Sequence, residues 1–265
     1  MDIWEIIILR PMINVLIVVS KYLFSSPGLA IIVFTVIIRA VMYPLTKQQL
    51  VASKKMQALQ PKIQELQKKY GKDKQRMAKE QAALFKESGM TNLGCILPML
   101  VQMPIWIALY QSIIRVLATG PEELLNLSRY LYSSWHVVFP VVPLNSQFLW
   151  LNLGSPDRFL IMPILVAGTM WIQQKMVTPK NTDPQQAAQG QMMLVMMPLL
   201  FGFLTLQYPS GLALYWVVSN IISIVMQYFV TGWGGLDTLW FKKKPDNTGK
   251  PSKPSVETKV LPPAS

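Results

Sequence analysis

The chain has 265 residues, 51% of them hydrophobic and only 14% charged, with a formal net charge of +12; a soluble domain averages about 25% charged residues. The deficit is local, because Pro184 to Leu236 runs 53 residues without Asp, Glu, Lys or Arg, enough for two membrane spans of roughly 20 residues each and a turn. A single cysteine (Cys95) and a single histidine (His136) exclude an intramolecular disulfide and leave no ligand set for a zinc cluster, and Cys95 reads as a small packing residue rather than a nucleophile.

Residues 3–22 are apolar but carry Glu5, Arg10 and Pro11. They lack the basic start and small-residue cleavage site of a signal peptide. Residues 1–27 therefore read as an amphipathic helix lying on the outer membrane surface. A sixth span is the alternative, and the loop charges do not separate the two.

Five apolar segments qualify as spans: 29–46, 95–114, 159–178, 191–207 and 212–231. Pro98, Pro104, Pro163 and Pro198 fall within them, and membrane helices tolerate proline where neighbours satisfy the freed carbonyls. Residues 47–94, after the first span, hold 11 Lys/Arg and 4 Asp/Glu, and the chain from 232 onward holds 6 Lys and 3 acids. Residues 118–158 hold only Arg129 and Arg158 against Glu122, Glu123 and Asp157. Basic loops stay in the cytoplasm, so the N-terminus and 118–158 are expected outside, and 47–94 and the C-terminus inside. Residues 130–156 also lack Asp, Glu, Lys and Arg, but Pro140, Pro143, Asn145 and Ser146 interrupt any helix there. A span at that place would also put the Lys-rich tail outside. The segment is expected to be an outer loop, with Trp135 and Trp150 at headgroup level, where Trp is enriched.

Residues 48–89 form a separate unit. Met56, Leu59, Ile63, Leu66 and Tyr70 recur at the spacing of one helical stripe. Gly71 is placed to end that helix, and Met77, Leu84 and Phe85 supply the apolar side of a second. The short join predicts an antiparallel cytoplasmic hairpin whose remaining faces are Lys and Gln. That surface is either a solvated topology signal or a dock for an acidic partner. Residues 232–265 read as a basic, disordered cytoplasmic tail, and Lys242-Lys243-Lys244 after Trp240 and Phe241 suits anionic lipids.

None of the five spans contains Asp or Glu, which excludes a carboxylate proton relay or an aspartyl protease within the membrane. There is no phosphate-binding G-x-x-x-x-G-K-[ST] loop, no G-x-S-x-G nucleophile motif and no helix-turn-helix signature. The expectation is a protein that is not an enzyme, needs no cofactor or metal, and binds no specific DNA. The deepest charge is Arg39. Counted along a straight helix at 1.5 Å per residue, it lies about 15 Å beyond Leu29 and about 12 Å before Lys47, near the middle of a core about 30 Å thick. A centred charge costs roughly 2.5–3.5 kcal/mol and such residues usually face a wet cavity; snorkelling to the inner headgroups is the other reading. Gln102, Gln111, Thr169, Gln173, Gln174, Ser219 and Asn220 are the uncharged polar groups that could share a cavity with Arg39, although each alone is as readily a hydrogen bond between helices.

Several segments, in order, carry a resemblance. Phe34 to Arg39 (FTVIIR), Tyr43 to Thr46 (YPLT), Lys55 to Pro61 (KMQALQP), Leu97 to Pro104 (LPMLVQMP) and Tyr208 to Trp216 (YPSGLALYW) resemble the YidC/Oxa/Albino membrane insertases over about residues 28–231. The resemblance implies an all-α, five-span core at 28–231 around a hydrophilic groove, closed outside and open to cytoplasm and lipid. It places the family's groove arginine on Arg39 and its aromatic pair on Tyr215 and Trp216, with Gln102, Thr169 and Gln173 as groove neighbours. It further implies an insertase of the bacterial inner membrane that guides hydrophobic segments of nascent proteins sideways into lipid without nucleotide hydrolysis. The ribosome, the signal recognition machinery or the Sec translocon would be partners through the hairpin and tail. Lacking the large outer domain of many Gram-negative members, the chain is more similar to the short bacterial ones, but it departs from some of those in showing no obvious lipoprotein signal with an early Cys. The competing class is a small-anion transporter or channel using Arg39.

Overall fold

The computed structural model describes residues 3–71, 73–88, 93–117, 120–132, 145–178 and 184–236; within these, the side chains of residues 74, 93–102, 121 and 184–186 are outside the description. The chain is almost entirely helical. After a π-turn at Glu5–Leu9, α1 (Arg10–Tyr22) starts with Pro11 in its first turn, where a missing N–H costs nothing. Leu9, Ile13, Leu16 and Ile17 are buried along one helical face, which packs on α2 (Pro27–Val41) and α5 (Leu93–Val116). Phe24 and Ser25 then turn the chain with φ of 56° and 54°, a left-handed pair without glycine. Ser26 caps α2, its hydroxyl accepting from the Leu29 N–H at 3.5 Å.

The first apolar segment is not one straight helix. α2 stops at Val41, and α3 (Tyr43–Tyr70) leaves it at 65°. Pro44 is the cause, since its ring has no N–H to donate and clashes with the carbonyl four residues back. The expected span 29–46 is therefore divided, and Tyr43 to Thr46 belong to the first helix of the hairpin. Arg39 falls in the last turn of α2, nearer a helix end than straight counting had put it.

α3 and α4 (Lys74–Glu87) pack together as a helical hairpin that starts at Tyr43 rather than at 48. Ile63 is buried and Met56, Leu59, Leu66 and Tyr70 are half-buried, as are Met77, Leu84 and Phe85. Gly71 closes α3 with an ordinary right-handed φ of −59°. A Cβ there would lie 2.6 Å from the Gln67 carbonyl oxygen, so close approach rather than a left-handed turn accounts for the glycine. The hairpin is also held along its side, because α3 packs on α5 and α9 (Ser210–Thr231). The Gln57 amide donates to the carbonyl of Val177, the last residue of α7 (Ile161–Val177), at 2.7 Å.

The 118–158 loop contains more structure than its prolines suggested. α6 (Pro121–Ser128) starts on Pro121 with Glu122 and Glu123 in its first turn, a charge order that suits the helix dipole. Gln147–Phe148 (β1) and Leu151–Asn152 (β2) form a small antiparallel ladder. Phe148 covers Gly28 so closely that a Cβ on the glycine would sit 2.1 Å from the ring. Residues 133–144, with Trp135 and His136, lie outside the described residues. Asp157 then caps α7, accepting from the Met162 N–H at 2.8 Å.

α8 (Pro184–Leu204) packs on α7, and α9 lies at the centre, against α2, α3, α5 and α7. Ser210 and Gly211 anchor the start of α9 through N–H bonds to the carbonyls of Ser155 (2.8 Å) and Leu153 (3.0 Å). Among the described residues, α8 and α9 are long and apolar enough to cross a membrane, and the bent α2–α3 pair makes up to three; Met103–Val116 is a shorter apolar helix. Among the described residues the main packed core is one-sided. Ile13 and Ile17, Ile31 and Phe34, Leu109 and Ile113 belong to it, with Leu127, Leu153 and Leu212, so it gathers where α5 ends, α2 and α9 begin and the 118–158 loop docks.

Candidate functional site: a polar cavity around Arg39

Six of the helices line a cavity of about 430 Å³. Its polar lining is Arg39 from α2, Gln49 from α3, Gln173 from α7, and Ser219 and Asn220 from α9. Its apolar and aromatic lining is Met103 and Trp106 from α5, Phe201 from α8, and Tyr215 and Trp216 from α9. Trp106 and Trp216 stack with centroids 6.0 Å apart, and Phe201 meets Trp216 edge-on at 5.2 Å. The Trp106 indole N–H is buried and has no acceptor among the described residues.

The charge is held by a neutral group. Arg39 Nε donates to the Ser219 hydroxyl oxygen at 3.0 Å, and Nη2 donates to the same oxygen. Among the described residues no Asp or Glu lines the cavity. Asn220, next on α9, reaches the other way and donates through its amide to the Thr169 hydroxyl at 3.1 Å. Successive residues of a helix point about 100° apart, so one dipeptide of α9 ties the α2 and α7 walls.

The structure brings Arg39, Gln173, Tyr215 and Trp216 to one cavity, together with Ser219 and Asn220. Thr169 stands behind Asn220, its hydroxyl also donating to the Leu165 carbonyl at 2.7 Å. The Gln102 side chain is outside the described residues. Gln111 faces elsewhere, accepting from Trp4 and Arg115. Gln49, Met103, Trp106 and Phe201 are additions that the sequence pattern did not single out. Gln49 reaches the cavity only through the bend at Met42, which no linear spacing encodes. Trp106 had one available signal, since it falls one turn after Gln102.

A second polar cluster fastens the N-terminal helix. The Tyr130 hydroxyl donates to Glu5 Oε1 at 2.7 Å, Arg10 donates to the carbonyls of Tyr130 and Leu131, and the fully buried Asn14 bonds the Tyr130 carbonyl at 2.8 Å and the Tyr132 N–H at 3.0 Å. The hydrogen bond to the Glu5 carboxylate, more than burial, holds the Tyr130 phenol above its usual range. The charges that made 3–22 a poor span are thus satisfied within the protein. Among the described residues no group of His, Cys, Asp or Glu could hold a metal ion.

Long apolar helices packed around a polar cavity that carries a guanidinium define a helical membrane protein. A model of the 60Kd inner membrane protein family matches residues 18–234. The membrane protein insertase YidC of Tolumonas auensis is 40% identical over 205 residues, covering 77% of this chain and 32% of that protein. YidC of Geobacter sp. strain M21 is 36% identical over 224 residues, covering 84% and 36%. The crystal structure of an active YidC insertase with its first transmembrane domain resolved superposes with a TM-score of 0.53 at 26% identity, covering 79% of this chain and 43% of that one. The chain belongs to the YidC family of membrane insertases. It spans about a third of the length of the curated relatives it matches.

Proposed function

We propose that this chain is a membrane protein insertase that guides hydrophobic segments of nascent proteins laterally into the bilayer. The observation that carries the reading is a guanidinium facing a cavity that, among the described residues, has no lining carboxylate. A buried positive charge without an acid to answer it attracts a visiting one. Arg39 draws acids on the substrate's polar tail into the cavity, where Gln49, Gln173 and Asn220 offer hydrogen bonds that hydrocarbon cannot. The polar path across the membrane is thereby shortened. The apolar part of the substrate leaves past the aromatic wall into lipid, and burial of roughly 20 apolar residues drives the step, so nucleotide hydrolysis has no task.

The five-span arrangement is part of this proposal, with α2, α5, α7, α8 and α9 as the spans, the hairpin and tail cytoplasmic and the N-terminus outside. The one-sided core supports a bundle closed outside and open inside. Contacts at both ends of the N-terminal helix support its lying along the outer surface: Trp4 donates to Gln111 near the end of α5, and Leu16 lines one small apolar void with Val116, Leu117 and Pro27. The exposed Lys of the hairpin suit the ribosome, the signal recognition machinery, the Sec translocon or anionic lipid.

Reconstitution into protein-free liposomes tests the reading. The purified chain is expected to insert a single-span substrate with an acidic tail, scored by protease protection, without conducting chloride. Chloride flux with no insertion would establish the small-anion transporter instead.

A further inference from the structure

The geometry points to Ser219 as the positioning residue that keeps the Arg39 guanidinium inside the cavity, an inference that rests on the insertase reading for its consequence but not for its test. A long cationic side chain near a membrane surface extends toward water when nothing restrains it. Arg39 is in the last turn of α2, three residues before the bend, with Gln49 at the same cavity on the hairpin side. Gln49 is exposed, so water reaches the cavity at that residue, and the guanidinium has an exit toward this mouth. Yet two of its nitrogens converge on a single oxygen of α9.

Ser219 suits the task for three reasons. It is 3% exposed, so water does not compete for its oxygen. A hydroxyl accepts on two lone pairs, so one group can hold both Nε and Nη2. It is also neutral. An Asp or Glu at the same place would cancel the charge and leave nothing for an acidic substrate to find. A hydroxyl fixes the guanidinium and leaves its field intact, and an arriving carboxylate can still use the remaining N–H groups. The adjacent Asn220–Thr169 bond fixes α9 against α7, so the Ser219 oxygen is held by the backbone of a packed helix.

The test reads the position of the charge directly. Gln49→Cys, in a full-length chain whose Cys95 is Ser, places a thiol at the mouth. Its reaction rate with an anionic methanethiosulfonate reagent, divided by that with a neutral one, reports positive potential there. Ser219→Ala should release the guanidinium toward the mouth and raise that ratio by about tenfold or more, the scale expected when a hydrogen bond to a charged group is lost. Ser219→Thr, which keeps the hydroxyl, should restore the starting value, and Arg39→Ala added to Ser219→Ala should abolish the rise. A ratio unchanged by Ser219→Ala, or a rise that survives Arg39→Ala, overturns the proposal whatever happens to insertion. A rise that requires Arg39, with insertion of acidic-tailed substrates unaffected, sustains the positioning role and counts against the insertase electrostatics instead.

Discussion

Replacing Arg39 separates charge from shape. The cavity offers a substrate carboxylate one full positive charge and several dipoles. At a separation of about 6 Å and an effective dielectric constant of about 20, that charge attracts a carboxylate by roughly 2.8 kcal/mol; doubling the dielectric constant for a well-hydrated cavity halves this to roughly 1.4 kcal/mol. These bounds correspond to about hundredfold and about tenfold in the population of the tail-bound state. Arg39→Ala should therefore slow insertion of a single-span substrate with an acidic tail by about 10- to 100-fold, and of the same substrate with a neutral tail by less than about threefold. Arg39→Lys keeps the charge and can still donate to Ser219, so its rate should stay within about threefold of the parent. The assay is the initial rate of protease-protected product in liposomes, read at two salt concentrations. Equal losses for acidic and neutral tails would refute the electrostatic reasoning and leave Arg39 as a keeper of cavity hydration or fold.

Four further outcomes follow from particular contacts. Gly28→Ala drives a Cβ into the Phe148 ring and should destabilise the protein by about 1–3 kcal/mol, measured by thermal unfolding in detergent, with Phe148→Ala restoring part of the loss. The Tyr130 phenol is raised by Glu5, so its proton stabilises docking of the N-terminal helix below the unfolded value of about 10 and is lost as pH rises through the folded one. Proteolysis of residues 3–22 should accelerate only above that pH, and Tyr130→Phe should remove the pH step. The hairpin should exchange its amide hydrogens faster than α9, and Gln57→Ala, which cuts its tie to Val177, should speed α3 without changing α9. Deleting residues 242–265 should weaken salt-sensitive binding to ribosomes or anionic vesicles and leave insertion of short substrates intact; loss of insertion by a folded truncation would assign that segment a different role.

Much of the helical layout was legible because hydrophobic length and helical spacing are local properties. The apolar stretches at 95–114, 159–178, 191–207 and 212–231 each coincide with one helix, and the Met56 to Tyr70 stripe is the buried side of α3. Arg39 was legible for the same reason: a charge in an apolar run is conspicuous wherever the chain folds. The bend at Met42 was not, since Pro44 is compatible with a kink or a continued span and tertiary packing decides between them. α6 was overlooked although Pro121, Glu122 and Glu123 are an ordinary helix start. The contacts of Glu5, Arg10 and Asn14 with residues 130–132 join segments more than 110 positions apart, and no spacing rule reaches that far. Within the cavity, Gln173 was legible as a polar residue of a span, and Tyr215 and Trp216 only as a family pattern. That Thr169 serves Asn220, and that Ser219 rather than water receives the guanidinium, depends on how three helices pack.

The central claim is that the tail of a substrate enters the cavity beside Arg39 before its apolar segment reaches lipid. Site-specific photo-crosslinking during insertion tests this most directly, with a photoreactive residue in place of Gln173 inside the cavity and another in place of Leu199, which is exposed on α8. Position 173 should crosslink the acidic tail of a single-span substrate at early times, and position 199 its apolar segment later, with the early product lost in Arg39→Ala. Crosslinks to the apolar segment alone, or an early tail crosslink indifferent to Arg39, would contradict the account.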